Sequence, residues 1–255
     1  TGYDKTVLFR GAASNAFYYD GGYFTATTIQ HTVGYWLKYN GANTIRQLGS
    51  RRTLDTVQVK ASWNLVGTVG NPVATSSFTA QPGGNTLSAF FGYNGAYFIE
   101  DTLQPSKGYW VKADSVGYFV QNAPAMFPKI APAVSIKEFN TLVISDNHGH
   151  SQTLYFGQDT EGKMILRKYE MPPAGPEASD FDVRYASGRI LEAYPPDINK
   201  GMEFGITVNA KSSPLKLSWN IISPNGKHFT IGDLSGKAMK TKEIAGTGEM
   251  VINAS

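Results

Sequence analysis

The chain has 255 residues, of which 17% are charged, with 27 Gly, 14 Tyr, 14 Phe and no cysteine. Without cysteine there is no thiol nucleophile, no Cys-based zinc site and no disulfide staple. The formal net charge of +3 is scattered, with Arg51-Arg52 the only dense basic spot, and no apolar run approaches the ~18 residues that span a bilayer; a nucleic-acid surface and a membrane span are therefore not expected.

Abundant Gly and aromatic residues with little charge favour short strands joined by tight turns. The first such element is "YYDGGYF" (18–24), two aromatic strands around Asp20-Gly21, which predicts a hairpin with a type I′ turn. "VGYWLK" (33–38) reads as a strand with Tyr35 and Leu37 on one face and Trp36 and Lys38 on the other. Residues 53–67, "TLDTVQVKASWNLVG", give two further strands, with Trp63 and Leu65 sharing a face. The pattern then returns. Shifting the chain by 74 residues lays 15–38 over 89–112 without a gap, and 11 of the 24 positions are identical. Among them are Phe17/Phe91, Tyr23/Tyr97, Gly34/Gly108, Tyr35/Tyr109, Trp36/Trp110 and Lys38/Lys112, while Asp20/Asn94 keeps the turn chemistry. Self-similarity at this level marks a tandem duplication.

The second repeat begins near Ser62 with "SWNLVG", whose counterpart falls about a dozen residues before Thr1. The first repeat is thus expected to lack its first strand. Thr1 is no start residue, so a processed or truncated chain is expected. Either the chain is cut there, or another chain fills the edge by β-augmentation, and the sequence leaves both open.

Residues 121–135 carry three prolines and read as a linker or extended edge. Beyond them "FNTLVISDNHGHSQTLYFGQD" is strand, turn, strand, followed by short strands at "FDVRY", "MEFGITVNA", "LKLSWNII", "HFTIGDL" and "GEMVINA". Strand follows strand with no long amphipathic helix. The expected fold is all-β: two tandem small antiparallel repeats (1–60 and 61–123), a Pro-rich linker (124–134) and a β-sandwich of immunoglobulin or fibronectin type (135–255).

The run "SWNLVG…FFGYNGAYFIEDTLQPSKGYWVK", followed by "LVISDNHGHSQTLYFG…YEMPPAGPEASDFDVRYASGR", resembles the C-terminal repeat and β-domain regions of surface proteins exported by type IX secretion in Bacteroidota and Ignavibacteria-like bacteria. The resemblance covers roughly residues 8–250. It implies a place outside the cell or on its outer surface, and it implies no activity, because such regions accompany proteases, glycosidases and adhesin-like proteins alike.

Candidate chemistry is sparse. His148 and His150 in "SDNHGHS", with Asp146 nearby, resemble metal ligands, but the Asp-Asn start and Gly149 point to a turn with exposed histidines. Asp180/Asp182 and Glu100/Asp101 are carboxylate pairs with nothing to separate an acid from a base. "GTVG" (67–70) and "GTGE" (246–249) lack the Lys and helix of a phosphate loop, and no Gly-x-Ser-x-Gly elbow occurs. No catalytic residue, metal ligand or cofactor is assigned, and the chain is read as a non-enzyme. The expectation is a secreted structural protein that assembles with copies of itself or with other surface proteins, as a filament or surface-layer subunit. Its tryptophans would then serve packing. The alternative is a carbohydrate-binding accessory module of a larger enzyme or adhesin, in which Tyr35, Trp36, Tyr109 and Trp110 stack on the sugar rings of a polysaccharide.

Overall fold

The structure, a computed structural model, describes residues 3–86, 88–123, 136–176, 180–198, 200–222, 226–234 and 239–253. It is all-β, as expected. By its contacts the chain divides into two compact units: Thr1–Gly92 with Ile99–Pro132 and Pro172–Ala178, and Tyr93–Phe98 with Ala133–Met171 and Ser179–Ser255. The expected linker 124–134 lies outside the described residues.

The first unit begins with β1 (Tyr3–Asp4), a single helical turn α1 (Lys5–Leu8), β2 (Ala16–Tyr19), β3 (Tyr23–Ala26) and β4 (Thr28–Ile29). The Asp4 carboxylate caps α1 by accepting from the Thr6 N–H at 2.7 Å. There follow β5 (Leu54–Val59), β6 (Ser62–Gly67), β7 (Val73–Ala74), β8 (Thr79–Gln81), β9 (Phe90–Tyr93), β10 (Tyr97–Glu100), β11 (Thr102–Leu103), β12 (Gly108–Ala113) and β13 (Gly117–Asn122), with the hairpin tip Tyr93–Phe98 counted in the second unit. One sheet has the order β10-β9-β12-β6 and another β5-β13-β8. They enclose a core of Val57, Val59, Val66, Phe90, Leu103, Tyr109, Val111, Ala113 and Phe119. Each fully buried aliphatic or aromatic side chain contributes roughly 1.5–3 kcal/mol to such a core. β5 lies on the first-repeat side of residue 60, yet it pairs along its whole length with β13 of the second repeat.

The aromatic hairpins form as predicted, with one correction to the turn. β2 and β3 are paired up to Tyr19↔Tyr23, leaving three residues between them, and the Asp20 N–H donates to Gly22 O at 2.9 Å. Only the glycines adopt positive φ, Gly21 at 72° and Gly95 at 78°, while Asp20 and Asn94 do not. A type I′ turn needs both central residues left-handed. Here the extra residue lets Asp and Asn keep ordinary φ while glycine alone takes the left-handed position.

The second unit holds β14 (Asn140–Ser145), β15 (Ser151–Gln158), β16 (Phe181–Tyr185), β17 (Leu191–Tyr194), β18 (Ile206–Ala210), β19 (Leu215–Asn220), β20 (Phe229–Ile231), β21 (Lys242–Ile244) and β22 (Thr247–Ile252). Its main sheet runs β17-β15-β14-β19-β22, with β16-β18 and β20-β21 as separate antiparallel pairs. Alternation fixes which face is inward: Leu142, Ile144, Leu217 and Trp219 are buried, and their strand neighbours are not. β15 and β17 pair in parallel.

Candidate functional site

The two Gly-Tyr-Trp strands carry the site, and they share a frame down to single hydrogen bonds. The Gln30 N–H donates to the Tyr35 hydroxyl at 3.1 Å, and the Gln104 N–H to the Tyr109 hydroxyl at 2.8 Å. The Lys38 N–H donates to Ser14 Oγ at 2.9 Å, and the Lys112 N–H to Ser88 Oγ at 2.8 Å. Phe17 bridges Trp36 as Phe91 pairs with Trp110. Each strand is preceded by a left-handed residue, Thr32 at φ 63° and Ser106 at φ 64°. β1 pairs with β4 as β7 pairs with β11, and the amide after each donates across, Lys5 to Thr27 O and Thr75 to Asp101 O, both at 2.8 Å.

The surroundings differ. In the second repeat β12 is a central strand. Trp110 and Phe91 pair across one side, and along the other β12 pairs with β6, Tyr109 opposite Val66 and Val111 opposite Asn64. Tyr109 is 1% exposed and Trp110 1%. Trp110 is ringed edge-to-face by Tyr19 at 4.8 Å, Trp63 at 6.2 Å and Tyr23 at 6.3 Å, so the first repeat's hairpin helps to close it. Lys112 stands over Trp63, its Nζ 6.0 Å from the ring centroid.

In the first repeat only one side of the strand is paired. Residues 32–34 join β6, with the Gly34 N–H donating to Leu65 O at 3.0 Å and the Gly67 N–H to Thr32 O at 2.7 Å, and Trp36 then bridges Phe17. Gly34 is glycine for steric reasons, since a Cβ there would sit 2.8 Å from Leu65 Cγ and 2.9 Å from Val66 O. On the opposite side, the N–H and C=O groups of Tyr35 and Leu37 have no backbone partner among the described residues. Tyr35, Trp36 and Leu37 are half-buried. The Trp36 indole lies against Gly175, and the Tyr23 hydroxyl donates to Ala174 O at 2.7 Å.

No family model, curated protein or solved structure matches the chain.

Of the four aromatics named for sugar stacking, Tyr109 and Trp110 are enclosed in the second repeat and present no face to a sugar ring. Burial displaces their role to packing, because a tyrosine and an indole of this volume are worth more inside than out. Tyr35 and Trp36 keep partial exposure. Desolvation raises the pKa of Tyr35 and of Tyr109, partly opposed by the amide each hydroxyl accepts. From sequence the first repeat is expected to lack its first strand, but the edge concerned is not placed there; it is that of residues 35–37. The strand that runs along the corresponding edge of β12 is Ser62–Gly67, whose counterpart at the same 74-residue offset falls before Thr1.

The other candidate clusters are engaged. In the turn between β14 and β15 the Asp146 carboxylate accepts the N–H groups of His148 and His150, both at 2.9 Å, the Ser212 hydroxyl at 3.0 Å, and lies 2.7 Å from His150 Nδ1. Its side chain is 1% exposed. Burial alone would raise its pKa, but the hydrogen bonds from His150, His148 and Ser212 outweigh that and lower it to about 2. His148 points out, and His150 stacks on Phe181 with ring centroids 5.6 Å apart. Asp182 is held by both ends of Arg184 at 2.7 and 2.6 Å, Asp180 by Lys211 at 2.5 Å, and the buried Glu192 by Arg189 at 2.9 Å. Among the described residues no group of three His, Asp or Glu side chains is arranged to hold a metal ion.

Proposed function

We propose that this chain is a non-catalytic secreted β protein of the outer cell surface that works through contacts with other proteins, copies of itself included, as a structural subunit. One observation carries the reading: the strand enclosed on both sides in the second repeat stands in the first, on the same frame, with one edge that no described residue pairs. An edge with unpaired N–H and C=O groups is a template for another chain. Three further points support it. The Trp110 indole packs among Tyr19, Trp63 and Tyr23 rather than lining a cleft. The carboxylates weighed as acid and base in the second unit are tied up in ion pairs. The sequence resembles surface regions exported by type IX secretion, which accounts for the extracellular assignment. Among the described residues no helix is long and apolar enough to cross a membrane.

Sedimentation velocity over a concentration series, with electron microscopy of the concentrated sample, tests this. The expected outcome is concentration-dependent association into ordered assemblies. A species that stays monomeric at the highest concentration would remove the self-assembly role.

A further inference from the structure

We propose that the outward face of the three-stranded sheet β5-β13-β8 is a platform for a neutral polysaccharide chain, held by the Tyr118 ring between two glutamine amides. Strand register sets the arrangement. β13 is the central strand, and Tyr118 stands opposite Gln58 of β5 on one side and opposite Gln81 of β8 on the other. Two residues along, Val120 stands opposite Thr56 and Thr79. Alternation sends Val57, Val59 and Phe119 into the core, so these six side chains point the other way as two rows, Gln-Tyr-Gln and Thr-Val-Thr. Tyr118 is 44% exposed, and both glutamines and both threonines are exposed as well. Among the described residues, no hydrogen bond engages the Gln58 and Gln81 side-chain amides or the Tyr118 hydroxyl, and no ring packs on Tyr118. All six residues belong to the first unit.

The chemistry of the face selects the occupant. An exposed strand pair elsewhere in the chain carries an ion pair, Lys216–Glu249 across β19 and β22, whereas no outward position of β5, β13 or β8 is charged. A nucleic acid or an acidic glycan would need cations here. A protein interface buries a more apolar centre than this one, in which four of the six side chains are amides or hydroxyls. A neutral sugar needs what is present: an aromatic face for the C–H side of its ring, and amides that both donate to and accept from its hydroxyls. Neighbouring strands lie about 4.8 Å apart, so a glutamine flanks the Tyr118 ring at that distance on either side, within reach of both edges of a pyranose stacked on it. The threonine row follows about 7 Å further along the strands. A sheet face supports its ligand from one side only, which suits a flat, β-1,4-linked chain lying along β13 rather than a single enclosed sugar.

The probes are three neutral β-1,4-linked polymers, hydroxyethylcellulose, galactomannan and arabinoxylan, with anionic polygalacturonate as the charged control. They are tested on the whole protein by affinity electrophoresis and isothermal titration calorimetry. Binding of at least one neutral polymer is expected, with an affinity unchanged between about 0.05 and 0.5 M salt because no ion pair forms. Tyr118→Ala should weaken that binding at least about tenfold, Tyr118→Phe less than about threefold because the ring is kept, and Gln58→Ala combined with Gln81→Ala about tenfold. On the unaltered protein, the side-chain amide resonances of Gln58 and Gln81 should shift on titration with a hexasaccharide of the bound polymer, which decides the matter if a variant does not fold. No binding of any of the three, tighter and salt-sensitive binding of polygalacturonate, or neutral-polymer binding that ignores Tyr118→Ala overturns the proposal. If Tyr118→Ala lowers self-association while the polymers are ignored, the face is a protein interface and the polysaccharide site is wrong. Sedimentation of the same samples keeps the two proposals apart. A monomer that binds glycan removes the self-assembly role and leaves this site standing, and an assembly that binds none does the reverse.

Discussion

The two repeats spell nearly the same strand and hairpin, and the structure finishes only one of them. Trp110 and Phe91 are sealed, at 1% and 0% exposure, while Trp36 and Phe17, their counterparts, are half-buried. The local contacts do not explain the gap, because the turn, the tyrosine bond and the serine cap recur in both. What differs is non-local. β6 pairs along one edge of β12, and β5, β13 and β8 roof its Tyr109 face, while no described strand does either for residues 35–37. The motif thus specifies a frame, and its neighbours decide whether the frame becomes a core or a bare edge.

Proline is the bluntest way to break that comparison. Val111→Pro deletes a donor directed at β6 and distorts a side chain that is 0% exposed, so it should abolish cooperative folding of the first unit, seen as loss of slow amide exchange throughout β6, β12 and β13. Leu37→Pro at the equivalent position removes a donor that has no backbone partner, and should cost less than about 1 kcal/mol in urea unfolding. Equal damage from both would show that the edge is not bare. Truncating the indoles is the next step down. Trp110→Ala should cost about 3–5 kcal/mol, as for other fully enclosed aromatics. Trp36→Ala should cost about half of that, because part of its surface already meets water.

How much of this could be read from residues follows from what range each feature depends on. The strand at 33–38, the hairpins at Asp20-Gly21 and Asn94-Gly95, and the strand at 181–185 are set by alternation and turn chemistry within a few residues, and all were legible. The turn type was not, since Asp-Gly suits both a two-residue and a three-residue connection and the third residue decides. β17 was missed because "LEAY" has three of its four residues buried and pairs in parallel with β15, which leaves neither alternation nor a local turn to detect. The burial of Tyr109 and Trp110 was foreshadowed only as one of two readings. Their exposure depends on which other strands arrive, and that is not encoded in the motif itself.

The second unit provides a reference that should move independently. Asp146 has a folded-state pKa of about 2, below its ordinary 3.8, so its contribution is full above pH 4 and is lost as pH falls from about 4 toward 2. The loss should be on the order of 2 kcal/mol, and Asp146→Asn should flatten that limb of the stability–pH curve. Amide exchange resolved by region should place the effect at the β14–β15 turn, where the carboxylate holds the amides of His148 and His150. If the gap between Trp110→Ala and Trp36→Ala widens or closes over the same pH range, the difference between the repeats is not set by their own packing.

The finest test uses a contact that both repeats make with the same atoms. Ser88 is 4% exposed, and its hydroxyl accepts the Lys112 N–H at 2.8 Å. Ser88→Ala leaves that amide without an acceptor in a region closed to water, which should cost about 1–2 kcal/mol. Ser14 makes the same bond to the Lys38 N–H at 2.9 Å but is only half-buried, so water can replace the lost hydroxyl and Ser14→Ala should cost at most about 0.5 kcal/mol. Because the geometry is matched, the difference between the two variants isolates solvent access.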